Sequence, residues 1–140
     1  MTINFSVKDN MLHKKPMLLV DAILEETKKT AITSFKVQED CIFLDETFVL
    51  ARSVFVEIIA QSFAAVDTYQ KQRDKKERSK GFLVGVRDFK IYADASCGDE
   101  LICKLEKTDE VSGLNICKGA ILKNGKALAE GELRIFEIPF

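Results

Sequence analysis

The chain has no tryptophan, only two prolines and a single histidine, His13. One histidine rules out any site built from several imidazoles, and it makes His13 the only side chain whose ordinary pKa suits proton abstraction near neutrality. The four cysteines, Cys41, Cys97, Cys103 and Cys117, form no CxxC pair and lie far from His13 in sequence. They read as small apolar residues rather than as a zinc site or a disulfide framework. No GxSxG elbow is present, which removes a serine-hydrolase triad, and GKALAEGE carries neither a Walker pattern nor a dinucleotide fingerprint. Nor is there an apolar run of about 18 residues that would span a bilayer. The segment MTINFSVKDNMLHKK has no signal-like apolar core, so the expected location is the cytoplasm, with no membrane association. A net charge of −1 argues against a nucleic-acid partner. At 140 residues the expectation is one domain spanning 1–140, with no internal repeat or low-complexity linker.

What the chain does have is one unusually apolar helix. From Val54 to Val66 all residues but Glu57, Gln61 and Ser62 are Val, Phe, Ile or Ala. The length and alanine content exclude a strand, so a helix is expected over about residues 53–70, with Ser53 as its N-cap. A helix apolar all round must be enclosed on most sides. Enclosing material is at hand. Ala31, Thr33, Phe35 and Val37 alternate as on a half-buried strand, Met17 to Leu24 leads into another, and four strand-like segments follow Lys80. Ser112-Gly113 and Asn124-Gly125 mark hairpin turns between them. Ala127, Ala129, Gly131, Leu133 and Ile135 share one face of the last strand, small residues first, as close approach to a helix requires. Residues 39–52 show no period and read as a loop. The expected class is α+β, an antiparallel sheet curled around one long central helix.

Three features carry chemistry. Glu57 lies about one turn inside the helix, where backbone N–H groups favour a carboxylate and apolar neighbours favour the protonated acid. A carboxyl balanced in this way is a usable general acid. Gln61, one turn on, shares its face and is placed to hold the carboxyl by a hydrogen bond; the plainer alternative is that both residues only pair with a loop. His13 is the candidate base, or else a surface histidine. Finally, Lys71 to Lys80 holds six basic residues against two acidic ones. Such a run is either a solvated helix end or a docking patch for an acidic partner.

The segments HKKPMLLVDAILE (His13 to Glu25), VEIIAQ with Glu57 and Gln61, and GFLVGVRDFKIYADASCGDEL (Gly81 to Leu101) resemble the FabZ-type 3-hydroxyacyl-acyl-carrier-protein dehydratases of the hotdog fold. The nearer likeness is to the ApeP-like branch associated with aryl-polyene synthesis. Gly85 stands thirteen residues ahead of Gly98-Asp99, the interval of the family's pattern. The resemblance implies a hotdog that pairs edge to edge as a homodimer, a heterodimer with another hotdog subunit, or a higher oligomer, with the acyl-thioester tunnel between subunits. It further implies Glu57 as the acid that protonates the departing hydroxyl, and Gln61, Gly85 and Val86 as substrate-binding positions. The substrate would be carried on the phosphopantetheine of acyl carrier protein or coenzyme A, with no metal or other cofactor. In this light Lys71, Arg73, Lys75, Lys76 and Arg78 become the carrier-protein docking patch.

One departure shapes every reading of function. The family's catalytic histidine belongs to a His-Phe-Pro-Gly segment, and an ungapped count lands on Phe43, in CIFLDETFVLARS, which offers no His, Pro or Gly. The base is then His13, or a histidine of a partner subunit. Otherwise the chain is a non-catalytic acyl-binding or structural subunit, or a hotdog acyl thioesterase in which the lone helix carboxylate activates water.

Overall fold

The computed structural model describes residues 2–140. Its elements are a short helix α1 (Val7–Asn10), strands β1 (Ala22–Glu26) and β2 (Thr30–Lys36), the long helix α2 (Val54–Arg73), and strands β3 (Ser79–Ile91), β4 (Glu100–Val111), β5 (Leu114–Lys123) and β6 (Lys126–Pro139). The strands form one antiparallel sheet in the order β1-β2-β4-β5-β6-β3. This is the curled sheet around a central helix that the sequence leads one to expect.

The alternation along β2 puts Ala31, Thr33, Phe35 and Val37 in the core. On α2, Phe55, Ile58, Ile59 and Ala65 are almost completely buried. The sheet approaches the helix most closely at Gly119 of β5, where any Cβ would collide with Ile59. Ser62 and Thr33, both buried, satisfy one another through a hydroxyl pair 2.7 Å apart. Cys103 and Cys117 are buried as well, and burial pushes their thiols up to about 12 and about 11, which leaves them inert fillers of the core. Both expected hairpins are present, with φ of 49° and 87° at Ser112-Gly113 and 51° and 78° at Asn124-Gly125. That pair of positive angles matches the twist of the flanking strands.

The ends of α2 differ from the expectation. Ser53 has helical angles and makes no side-chain cap; backbone turns hold the entry instead, with the Val54 N–H donating to Ala51 and the Phe55 N–H to Arg52. The helix also runs beyond Gln70 to Arg73. There Lys75 takes φ 54°, and the N–H groups of Lys75 and Lys76 donate back to Gln72 and Lys71. This is the Schellman arrangement, built on lysine rather than glycine.

The two sheet edges are unlike. At β1 the N-terminal segment covers part of the edge, the Ile3 N–H donating to the Ile23 carbonyl at 2.9 Å. Among the described residues the β3 edge has no neighbouring strand, and Phe82, Leu83, Val84 and Val86 are exposed on β3, with Phe136 and Ile138 of β6 and Phe140 also exposed. A long apolar edge of this kind invites a further strand from another subunit.

Candidate active site

Gln61 organises the site. Buried to 1% exposure, it accepts a hydrogen bond from the Leu19 N–H at 2.7 Å and donates to the Met17 carbonyl at 2.9 Å and to Glu57 Oε1 at 3.2 Å. One amide therefore ties the segment before β1 to α2 and orients the carboxyl one turn away. The expected hold on Glu57 is present. The two backbone partners were not foreseeable, because they come from residues more than forty positions away. Its amide engaged by three protein groups, Gln61 also lines the cavity beside Glu57.

The segment pinned by Gln61 carries His13 to the same place. His13 Nε2 stands 3.7 Å from Glu57 Oε1, and both side chains line a cavity of about 390 Å³ between α2 and β3. The imidazole turns Nε2 toward Glu57. The only histidine and the odd carboxylate of α2, far apart in sequence, thus face one another on one cavity wall. Glu57 is less dry than its apolar neighbours in sequence suggest, with 45% of its side chain exposed. The reason is geometric: Val54, Phe55, Ile58 and Ile59 turn toward the sheet, while Glu57 occupies the helix face directed at the open cavity.

The far end of the cavity is ionic. Lys71 donates to Asp67 Oδ2 at 2.9 Å and to Glu137 Oε2 at 2.6 Å, and also reaches Ser79 Oγ. Burial pushes the Asp67 carboxyl above its ordinary value, opposed by the hydrogen bond from Lys71 and reinforced by the Glu137 charge. For Lys71 desolvation works against the charge, yet its hydrogen bonds to Glu137 and Asp67 leave the ammonium more firmly protonated than a free lysine. Lys71 is consequently an internal ion-pair partner and not part of an exposed docking patch.

The remaining expected residues separate into groups. Arg73 is paired with Glu26 and Asp74 at 2.8 and 3.1 Å, and Arg78 donates to the Asn10 carbonyl at 2.8 Å while lying over the Phe140 ring. Lys75 and Lys76 are exposed, as is Lys80, which lines the cavity beside Arg78. Gly85 and Val86 are not among the lining residues: the stretch of β3 that reaches the cavity is Gly81 to Leu83, and Gly85 packs against the Arg134 side chain. A bulge between Leu83 and Gly85 interrupts the pairing of β3 with β6 just ahead of these two residues. Sequence reasoning also missed Asp67 and Glu137, whose meeting through Lys71 depends on the end of β6 returning to the helix.

A single helix wrapped by an antiparallel sheet, with a histidine and a glutamate facing one another in a cavity beside the free edge, defines a hotdog protein equipped for acid–base chemistry. Residues 5–139 match the ApeP-like family, described as ApeP dehydratase, and the chain belongs to that family of hydro-lyases. The 3-hydroxyacyl-[acyl-carrier-protein] dehydratase FabZ of Burkholderia mallei (strain SAVP1) is 27% identical over 143 residues, covering 94% of this chain and 90% of the relative. Among solved structures, the dehydratase heterocomplex ApeI:P from Xenorhabdus doucetiae has a TM-score of 0.90 at 19% identity, over 97% of this chain and 93% of that one. A hypothetical thioesterase with coenzyme A from Streptococcus pneumoniae TIGR4 has a TM-score of 0.67 at 12% identity, over 84% and 87%. Among the described residues no helix is long and apolar enough to cross a membrane.

Proposed function

We propose that the chain dehydrates 3-hydroxyacyl thioesters carried by acyl carrier protein, with Glu57 as acid and His13 as base, in the cytoplasm where such carriers operate. The observation that carries this reading is the 3.7 Å approach of His13 Nε2 to Glu57 Oε1 on the cavity wall. The C2 proton and the C3 hydroxyl leave from adjacent carbons, so the groups that handle them must stand side by side. His13 Nε2 takes the C2 proton, and the C–H electron pair becomes the new double bond. The C3–O bond breaks as protonated Glu57 gives its proton to the departing hydroxyl, and water leaves. Imidazolium and carboxylate then face one another across the same gap, and return of the proton from His13 to Glu57 resets the site. Side-chain acid and base suffice for this route. The carrier's phosphopantetheine arm brings the substrate, and Lys80 on the cavity lining, with exposed Lys75 and Lys76 after the end of α2, suits the acidic carrier surface that delivers it. Charge reversal at Lys75 and Lys76 should weaken carrier binding and flatten its dependence on salt.

A second reading is favoured by the loop 41–52, which has no histidine, and by the partial exposure of Glu57 beside an unpaired, apolar β3 edge. In it, a second hotdog subunit adds its sheet at that edge and supplies the base to Glu57. The ApeI:P assembly is itself a dehydratase heterocomplex, and a division of labour of that kind fits a chain that retains the acid but not the family's usual base. Turnover measurements decide between the two. Dehydration by the purified protein alone, abolished in His13→Ala, supports the first; activity only after mixing with a histidine-bearing subunit, indifferent to His13→Ala, supports the second. A protein that binds the thioester and turns it over under neither condition is a binding subunit, and both mechanisms fall.

A further inference from the structure

The cavity beside α2 changes character along its length. Near Glu57 its wall is apolar, made by Ala60, Phe63 and Ala64 of the helix with Leu83 and Ile135 of the sheet. Toward the end of α2 it turns polar, with Asp67, Thr68, Ser79 and Glu137, and Arg78 and Lys80 add positive charge at the same end. The hydrogen bond from Lys71 to Ser79 fixes the start of β3 against this part of the helix. Asp67 and Glu137 share the one ammonium of Lys71, so that trio holds an excess of negative charge and does not by itself suit an anion. Arg78 does. Arg73, in the same basic run, is occupied by Glu26 and Asp74, whereas Arg78 has no carboxylate partner among the described residues. A hydrogen bond from Nη2 to the Asn10 carbonyl at 2.8 Å and the Phe140 ring, 5.4 Å from Cζ, hold its guanidinium on the cavity lining and leave its other N–H groups unclaimed.

We propose that Arg78 anchors the phosphate of the carrier's phosphopantetheine arm and so fixes how far the thioester reaches toward Glu57. This rests on the thioester reading of the cavity given above. The length of the arm supports it. With C2 of the acyl group at His13 and Glu57, about fifteen bonds lead back through the thioester and the arm's two amides to the phosphorus, roughly 18 Å when extended. Along α2, Asp67 and Thr68 lie about 15–16 Å past Glu57 at 1.5 Å per residue. Arg78 joins the lining beside them, next to Ser79. The phosphate therefore arrives where the guanidinium stands. A planar guanidinium can give a phosphate two parallel hydrogen bonds, and one already held in place loses little freedom in doing so.

The test uses two thioether probes with the same short tail, one on pantetheine and one on pantetheine bearing the terminal phosphate. Each is titrated calorimetrically into the full-length protein, together with its partner subunit if assembly needs one. In the unaltered protein the phosphate should tighten binding by roughly ten- to a hundredfold. Arg78→Gln should erase most of that difference while leaving affinity for the unphosphorylated probe little changed, which a merely structural role would not do. Arg78→Lys keeps the charge but not the fork and should recover part of the difference. The same tail borne on acyl carrier protein should lose affinity in Arg78→Gln as well. Exchanging Lys75 and Lys76 for glutamine should leave the preference for phosphate in place; if it removes the preference as fully as Arg78→Gln, diffuse charge is responsible and the anchor is overturned. A folded Arg78→Gln that still favours the phosphorylated probe by the same factor overturns it, as does a loss seen with the free arm and not with the carrier-borne one. Equal binding of both probes by the unaltered protein overturns the anchor while leaving the thioester reading intact. If neither probe binds, that reading is itself wrong and the anchor falls with it.

Discussion

Two carboxylates on α2 line the same cavity and live in opposite circumstances. Glu57 is 45% exposed, touches one amide at 3.2 Å, and has an imidazole at 3.7 Å as its basic neighbour. Asp67 is 18% exposed and bonded to an ammonium that a second carboxylate, Glu137, also holds. The difference separates a carboxylate open to solvent and to an imidazole neighbour from one locked in a fixed ion pair. Among the described residues no lysine or arginine is paired with Glu57, and solvent reaches it through the cavity. At Asp67 the counter-charge is built in, and the carboxylate serves to anchor the end of α2 to β3 and β6.

That contrast is open to attack by mutation, beginning where the largest effect is expected. Glu57→Gln keeps shape and the bond to Gln61 but removes the transferable proton, and dehydration should fall by about 10²- to 10⁴-fold. Because the side chain is half in solvent, unfolding free energy should change by no more than about 0.5 kcal/mol. Lys71→Met should do the reverse. It strands Asp67 and Glu137 against one another without their shared cation and should cost about 3 kcal/mol in urea denaturation. Its effect on turnover by the protein that remains folded should be modest. If Glu57→Gln melts the protein while Lys71→Met leaves it intact, the two roles have been assigned the wrong way round.

The apolar helix, the alternation of β2, both hairpin turns and the oddity of Glu57 were legible in the sequence, because each depends on neighbours a few residues away. Relations between distant segments were harder to see. Gln61 was recognised as a partner of Glu57 at one helical turn, but its grip on Met17 and Leu19 is a tertiary contact with no local signature. The basic run after Gln70 looked uniform. Folding divides it, drawing Lys71 inward because Glu137 arrives from the last strand, engaging Arg73 and Arg78, and leaving Lys75 and Lys76 outside. Gly85 and Val86 rest on the resemblance alone, and neither lines the cavity of the single chain. His13, the lone histidine, and Glu57 have no local relation in the sequence, and only the fold brings the two to one wall.

The smallest effect expected concerns the pH dependence of stability at Asp67. Burial is the largest influence on this carboxyl and lifts it above its ordinary 3.8; the Lys71 hydrogen bond lowers it, the Glu137 charge raises it, and the charges of Lys71 and Lys107 lower it again, with a net rise. The folded protein therefore holds this proton more tightly than the unfolded chain does. A raised carboxyl contributes stability that is fully present below 3.8 and is lost as pH climbs through the folded value. Asp67→Asn puts a non-titrating amide in the same place, still able to accept from Lys71, so it should not suffer that loss. Unfolding free energies measured across this range should then coincide for the two proteins at the acid end and separate above it, the variant becoming more stable by up to about 1 kcal/mol. The opposite divergence, with the unaltered protein gaining on the variant as pH rises, would mean that attraction to Lys71 outweighs burial. Asp67 would then be a carboxylate stabilised in its charged form, and its difference from Glu57 would lie in the fixed cation alone.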